Sequence, residues 1–558
     1  MPLCTGQIFA PLKTIMRPKL SAELFIGIGA LLLFVPFLGA THLFDWDEIN
    51  FAEASREMLV TGNYAIPQIG FEPFWEKPPL FFWLQVISMR IFGINEFAAR
   101  FPNAVCGVLT LLLLYRLGKK LVGEQFGWMW VLIYAGSLLP QLYFKSGIID
   151  PWFNLFIFLA VYQLASYSEI QNNRPLKRII LAGLFTGLAV MTKGPVALLI
   201  VGLCYGVFAI VARFKNFMKL LHILLFLLVT AVAGGIWFIA LLAKGQQHII
   251  TEFIVYQIRL FQTEDAGHGG SFFYHFIVLL IGCFPAAALS LLAMRTGKRE
   301  NSTPKHFQGW MLILFWVTLL LFSIVKTKIV HYSSLCYFPL TYLAAVSFYH
   351  VYNRRWRLPQ WNKWLQAATG LLLSLLIIGV TFIDQLKPWL LQPGRLKEGF
   401  GKANLAAQVE WTGWEKLPGI MLLAGVIIFV LRAHKNIRSA LVALFITTLL
   451  GINLTILLIT PKVEPYSQGA AVGFYKSKQG EAAIVETLRF KSYAHLFYTM
   501  RPPQFSRSMT DSVKQFNVHP GVPVYYVGKI HQRQENEKEL PLEILYEKNG
   551  FVFYKLKR

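Results

Sequence analysis

Five of the chain's 29 acidic residues, Asp45, Asp47, Glu48, Glu53 and Glu57, fall between Phe44 and Met58, directly after the first long apolar run. Other residues able to do chemistry stand at the ends of later apolar runs. These are Lys77 in "PFWEKPP", Asp150 in "GIIDPW", Lys193 in "TKGP", His268 in "TEDAGHGG", and Lys328 and His331 in "KTKIVHY". A carboxylate such as Asp47 or Asp150 orients or deprotonates an incoming hydroxyl. Lysines neutralise a phosphate as point charges. Two carboxylates, three lysines and two histidines at one membrane edge therefore suit an anionic lipid headgroup. Taken singly, each has a plainer reading. Asp47-Glu48 and Asp150-Pro151 fit helix starts, Lys193 fits a snorkelling lysine, and the two histidines fit structural roles. What favours a site is that the threading below puts them all on one side.

The elements that must position these residues are membrane helices. The chain is 55% hydrophobic and 15% charged, with mean hydropathy +0.50; soluble domains carry about 25% charged residues. Apolar runs of spanning length recur from Leu20 to Ile459. The net charge of +24 does not point to nucleic acid. Its basic residues fall in short clusters between apolar runs, such as Lys119-Lys120, Arg174–Arg178, Arg295–Arg299 and Arg354–Arg357, the pattern of cytoplasmic loops. A cytoplasmic N-terminus followed by about thirteen spans puts every cluster on one side and the chemistry on the other. The run Pro79–Ile91 would upset that phase and reads as an interfacial or re-entrant helix. The expected architecture is an all-α polytopic domain over residues 1–460 and a small extracytoplasmic α+β domain over 461–558. The cysteines show neither metal spacing nor a disulfide framework.

The motifs and their order resemble the bacterial membrane glycosyltransferases of the GT-C fold, the family of the aminoarabinose transferases and the protein O-mannosyltransferases. "DEINFAEASREM" is similar to that family's "DE…YAE…REM" and "FEPFWEKPPLFFWL" to its "EKPPL…YWL". "IIDPW", "MTKGPVALL", "EDAGHGGSFFY" and "KTKIVHYSSLCYFPL" follow in the family's order, across about 300 residues. The resemblance implies sugar transfer from a polyprenyl phosphate, at the outer face of a bacterial inner membrane, to lipid A or to a protein. It implies Asp47 as the principal catalytic carboxylate, beside Glu48, with Asp150 in support. Lys77, Lys193 and Tyr332 would hold the donor phosphate, and Glu76 and His268 would bind a divalent metal such as zinc. The chain departs from the aminoarabinose branch at Asn50-Phe51, where that branch has Arg-Tyr, and so lacks a bidentate phosphate contact. A transporter would place its charges near the bilayer midplane and show internal repeats. A scaffold would not need Asp47, Lys77 and Asp150 to converge.

Overall fold

The computed structural model describes residues 21–44, 46–169, 174–215, 217–262, 269–296, 304–396, 398–505 and 521–557. Asp45 and His268 lie outside them. Helix α1 (Ala22–Phe34) leads to α2 (Asp47–Thr61), a short hairpin of β1 (Gln68–Ile69) and β2 (Glu72–Pro73), and then α3 (Leu80–Phe92). The chain continues as α4 (Glu96–Leu121), α5 (Glu124–Ala135), α6 (Leu138–Leu142), α7 (Asp150–Tyr167), α8 (Pro175–Lys193) and α9 (Val196–Val211). Next come α10 (Leu220–Ala243), α11 (Gln247–Gln262), α12 (Tyr274–Gly282), α13 (Ala286–Thr296), α14 (Lys305–Ile324) and α15 (Tyr337–Tyr352). The helical body closes with α16 (Gln360–Val380), α17 (Ile383–Leu390), α18 (Gly399–Asn404), α19 (Leu417–Arg432) and α20 (Ile437–Leu458).

Each expected span falls on helix, but not every one is a single straight crossing. Among the described residues, 7 helices are long and apolar enough to span, or up to 9 if each bent pair counts as one. The run Trp128–Tyr143, expected as one span, breaks where α5 ends at Ala135 and α6 starts at Leu138. Gly136 sits at the break, where a Cβ would meet the carbonyl oxygens of Leu132 and Phe445 at 2.8 Å. The segment Leu138–Lys145 then meets α7 at 119°. The run Phe272–Met294 is likewise bent, by 111° between α12 and α13, where Pro285 interrupts the backbone hydrogen bonding. Helix α3 forms over the run set apart as non-crossing.

After α20 the chain builds a four-stranded sheet of order β3-β4-β6-β5. Strand β3 (Ile484–Leu488) pairs parallel with β4 (Val524–Lys529). Strands β5 (Leu542–Lys548) and β6 (Phe551–Leu556) complete it antiparallel. The alternating apolar residues of Val522–Val527 and Gly550–Leu556 are what a half-covered strand requires. The sheet is not isolated from the helical body. Phe474, Val527 and Phe553 belong to the same apolar core as α2, α4 and α7.

Helix α2 decides how the site is presented. Its four acidic residues suggest a surface helix, yet every residue from Glu48 to Met58 is buried. Burying charges is costly unless they are paired; Glu48, Glu53 and Arg56 are, while burial and the neighbouring Glu53 push the Glu57 carboxyl up to about 9. The Arg56 guanidinium donates to both Glu53 oxygens at 2.7 Å. Glu57 accepts from the backbone N–H groups of Gly70 and Phe71, each at 2.7 Å. The C-terminal segment closes over the helix: Leu43 N–H donates to the Tyr498 hydroxyl at 2.7 Å and Arg56 donates to the Arg501 carbonyl at 3.1 Å.

Candidate active site

Asp47 opens α2 and Asp150 opens α7, each where an acidic residue meets the positive end of its helix. Pro151 follows Asp150 in the first turn, a position where its missing N–H leaves no bond unmade. The loop before α7 is tied to α4, where Asn103 Nδ2 donates to the carbonyls of Ser146 at 2.6 Å and Ile148 at 2.7 Å. Lys193 ends α8, and Gly194 follows at φ +92°, in the left-handed region where a side chain would be strained. A Cβ there would also stand 2.7 Å from Phe253 Cζ of α11. Glycine is required at this turn.

These helix ends converge on His331. Its Nε2 stands 3.2 Å from Asp47 Oδ2 and 3.8 Å from Asp150 Oδ2. Lys193 is ion-paired with the other Asp150 oxygen, and its ammonium lies 4.9 Å over the Tyr332 ring. Asp150 is 4% exposed and Asp47 half-buried, so the approach to the group is from the Asp47 side. Burial works to raise the Asp47 pKa. The hydrogen bond and charge of His331, with the charges of Lys77 and Lys193, outweigh it and hold the carboxyl below the usual carboxylate range.

Lys77 lies on the hairpin side of the group. Burial pulls its ammonium below the usual lysine range, against the opposing pull of Glu76, Asp47 and Asp150. The ammonium sits 5.0 Å over the Tyr256 ring of α11, and the Tyr256 hydroxyl donates to Glu76 Oε2 at 3.1 Å. Among the described residues Lys77 forms no ion pair, whereas Lys193 does. Lys77 is thus the cation better able to meet an incoming phosphate.

Other expected site residues sit elsewhere. Glu48 turns from Asp47 into the body of the protein, accepting from Arg100 Nε at 3.0 Å and Nη2 at 2.8 Å and from Phe44 N–H at 2.9 Å. Gly147 N–H donates to it as well. With both oxygens engaged and only 4% of the residue exposed, Glu48 ties α2 to α4 and to the loop before α7. Lys328 also faces away, capping the end of α14 by donating to the carbonyls of Phe322 at 3.1 Å and Ser323 at 2.7 Å. Glu76 is held by Tyr256 and His268 lies outside the described residues. Among the described residues no group of three or more His, Cys, Asp or Glu is placed to hold a metal.

Sequence reasoning underweighted His331, which joins the two aspartates, and missed Arg100 altogether. His331 is signalled only by its place beside Tyr332 in "KTKIVHY". Arg100 had no signal, because its partner lies 52 residues away. Phe51, where the chain departs from the aminoarabinose pattern together with Asn50, packs into the core against Phe81 and Phe82.

A family model described as dolichyl-phosphate-mannose-protein mannosyltransferase matches residues 76–237. An undecaprenyl phosphate-alpha-4-amino-4-deoxy-L-arabinose arabinosyl transferase of Pectobacterium carotovorum is 30% identical over 417 residues, covering 72% of this chain and 72% of its own. One of the same name from Photorhabdus laumondii is 27% identical over 424 residues, covering 74% and 72%. The crystal structure of ArnT from Cupriavidus metallidurans bound to undecaprenyl phosphate shares the fold, with TM-score 0.75 at 19% identity over 95% of this chain and 97% of that one. The buried aspartate, histidine and lysine group is therefore set in a fold and a sequence that both lead to the same place: the chain is a multi-pass membrane glycosyltransferase and belongs to the ArnT family.

Proposed function

We propose that this enzyme transfers an amino-pentose from undecaprenyl phosphate to the phosphorylated headgroup of lipid A, at the extracytoplasmic face of the inner membrane. In this reading residues 461–558 form a domain on that face, closing over α2. The observation that carries it is the convergence of Asp47 and Asp150 on His331 Nε2, at 3.2 and 3.8 Å, beside Lys77, which forms no ion pair among the described residues. The lipid donor and the sugar follow the printed names of the relatives.

The geometry suits a single displacement. The acceptor oxygen forms a bond to the anomeric carbon while the bond from that carbon to the lipid phosphate breaks. The electron pair leaves with the polyprenyl phosphate, whose growing charge Lys77 neutralises. Such a step inverts the anomeric centre. Asp47, held ionised by His331 and the lysines, orients the acceptor and takes a proton where the acceptor is a hydroxyl. A phosphate acceptor is already anionic and needs orientation alone. Asp150 is a positioning residue: it holds Lys193 and His331 in place.

The test follows label from an undecaprenyl-phosphate-linked amino-pentose in membranes carrying the parent or Asp47→Asn. The parent should label lipid A, and Asp47→Asn should lose a factor of roughly 10²–10⁴ in turnover, as expected for a positioned proton acceptor. The second reading is protein glycosylation, favoured by the family model over residues 76–237. Label recovered in envelope proteins and absent from lipid A would establish that reading and sink the first.

A further inference from the structure

Helix α2 carries Asp47 at its start and Glu57 about 15 Å further along the same rigid helix, at 1.5 Å per residue. Glu57 is buried, and the mechanism above does not use it. Its two oxygens accept from two consecutive backbone N–H groups, those of Gly70 and Phe71, each at 2.7 Å. Those two residues are the whole turn of the β1–β2 hairpin, in which Ile69 pairs with Glu72. Both stand at positive φ, +68° and +66°, as a two-residue hairpin turn requires. Glycine is suited to that region, whereas phenylalanine rarely adopts it. With two residues in each strand, the hairpin has too little of its own to hold such a turn.

The hairpin in turn carries Lys77. Phe74 N–H donates to the Pro67 carbonyl at 2.7 Å, closing the open end of the hairpin, and the Phe74 ring packs on Phe82 of α3. Between the hairpin and α3 the chain reads Pro73-Phe74-Trp75-Glu76-Lys77-Pro78-Pro79. The proline rings fix φ at three of these positions, and Pro78 keeps Lys77 extended. A segment this stiff passes a shift of the hairpin on to the lysine instead of absorbing it. Arg56, next to Glu57, lies 5.9 Å from the Phe71 ring centre and donates to the Arg501 carbonyl, so the C-terminal segment covers the same anchor. The turn that leads to Lys77 and the carboxylate of Asp47 are thus fixed to one helix.

We infer that Glu57 is a positioning residue for the donor phosphate: by clamping the Gly70-Phe71 turn to α2, it sets Lys77 in place relative to Asp47. The inference rests on the role proposed above for Lys77. A carboxyl suits the task because each of its oxygens keeps a lone pair for an N–H, with or without its proton. A glutamine does not, since its NH2 would face an N–H, donor against donor.

The test measures binding of undecaprenyl phosphate to the full-length enzyme in detergent, with the melting temperature in parallel. Glu57→Gln should weaken binding about tenfold, the effect of one buried N–H left without a partner. Lys77→Ala should weaken it as well. In the Lys77→Ala background Glu57→Gln should add little, because both losses pass through the same ammonium. Phe71→Gly should restore binding to Glu57→Gln, since glycine holds the turn at positive φ without the carboxyl. A Glu57 that only stabilised the fold would lower the melting temperature and give losses that add. Parental binding by Glu57→Gln beside a loss in Lys77→Ala overturns the clamp alone. Additive losses, or a Phe71→Gly that restores nothing, overturn it too. Parental binding by Lys77→Ala removes the phosphate role of Lys77 and, with it, the purpose of the clamp.

Discussion

Burial alone would keep Asp47 protonated to a higher pH than a free aspartate, and the cations around it reverse that sign. The ionised form is therefore present above a depressed pKa and is lost only as pH falls through it. In His331→Gln the largest opposing partner is gone and burial is left less opposed. The acid limb of the turnover profile should move to higher pH, and a limb that stays in place would show that His331 does not set the Asp47 charge. Lys77 carries the opposite expectation. Burial lowers its pKa, so donor binding should fail on the alkaline side below the ordinary lysine value of about 10.4. Lys77→Arg keeps its charge at any such pH and should push that limb upward, whereas Lys77→Ala should weaken donor binding at every pH. Equal donor binding by the parent and both variants would place the phosphate elsewhere. At this scale the aspartates and lysines were legible in their motifs. The join through His331 was not, because His331 and Asp47 stand far apart in the chain and meet only in the fold.

Helix α2 holds Asp47 in place by burying the rest of its charged residues, and the Glu48–Arg100 pair is the strongest tie. With one partner removed, the other is left charged and unpaired at 3–4% exposure. Glu48→Gln or Arg100→Met should each destabilise by about 3–5 kcal/mol. The double variant should lose less than the sum of the two, since it leaves no uncompensated charge. Thermal unfolding of the four proteins in detergent measures this coupling; strictly additive losses would mean that the pair does not act as a unit. The turn after α8 gives a second prediction of this kind. Gly194→Ala forces a side chain into the left-handed region at about 1–2 kcal/mol and presses on Phe253. Because Lys193 and α11 flank that turn, transfer should fall along with stability, and a variant with parental rate and melting temperature would refute the strain argument.

At the scale of the whole molecule the threading makes the prediction. A membrane-impermeant maleimide applied from outside should modify Gln247→Cys, before α11, and Lys548→Cys in the C-terminal sheet, and spare Lys177→Cys. The described native cysteines are buried and give no background. Labelling of Lys177→Cys from outside would invert the arrangement. What the sequence by itself determined is the apolar and basic periodicity, hence a polytopic helical body, and the motif residues at its helix ends. These are local properties: hydropathy over one span, charge over one loop, and an aspartate before a helix. The tertiary structure decided the rest. It gave Glu48 to Arg100, and Lys328 to the end of α14. It broke the Trp128–Tyr143 run at Gly136, where the backbone of a distant helix leaves no room for a side chain. It also buried α2, which by composition belongs on a surface. A carboxylate's role depends on which cation reaches it, and those cations come from chain segments far away in sequence, brought near only when the helices pack.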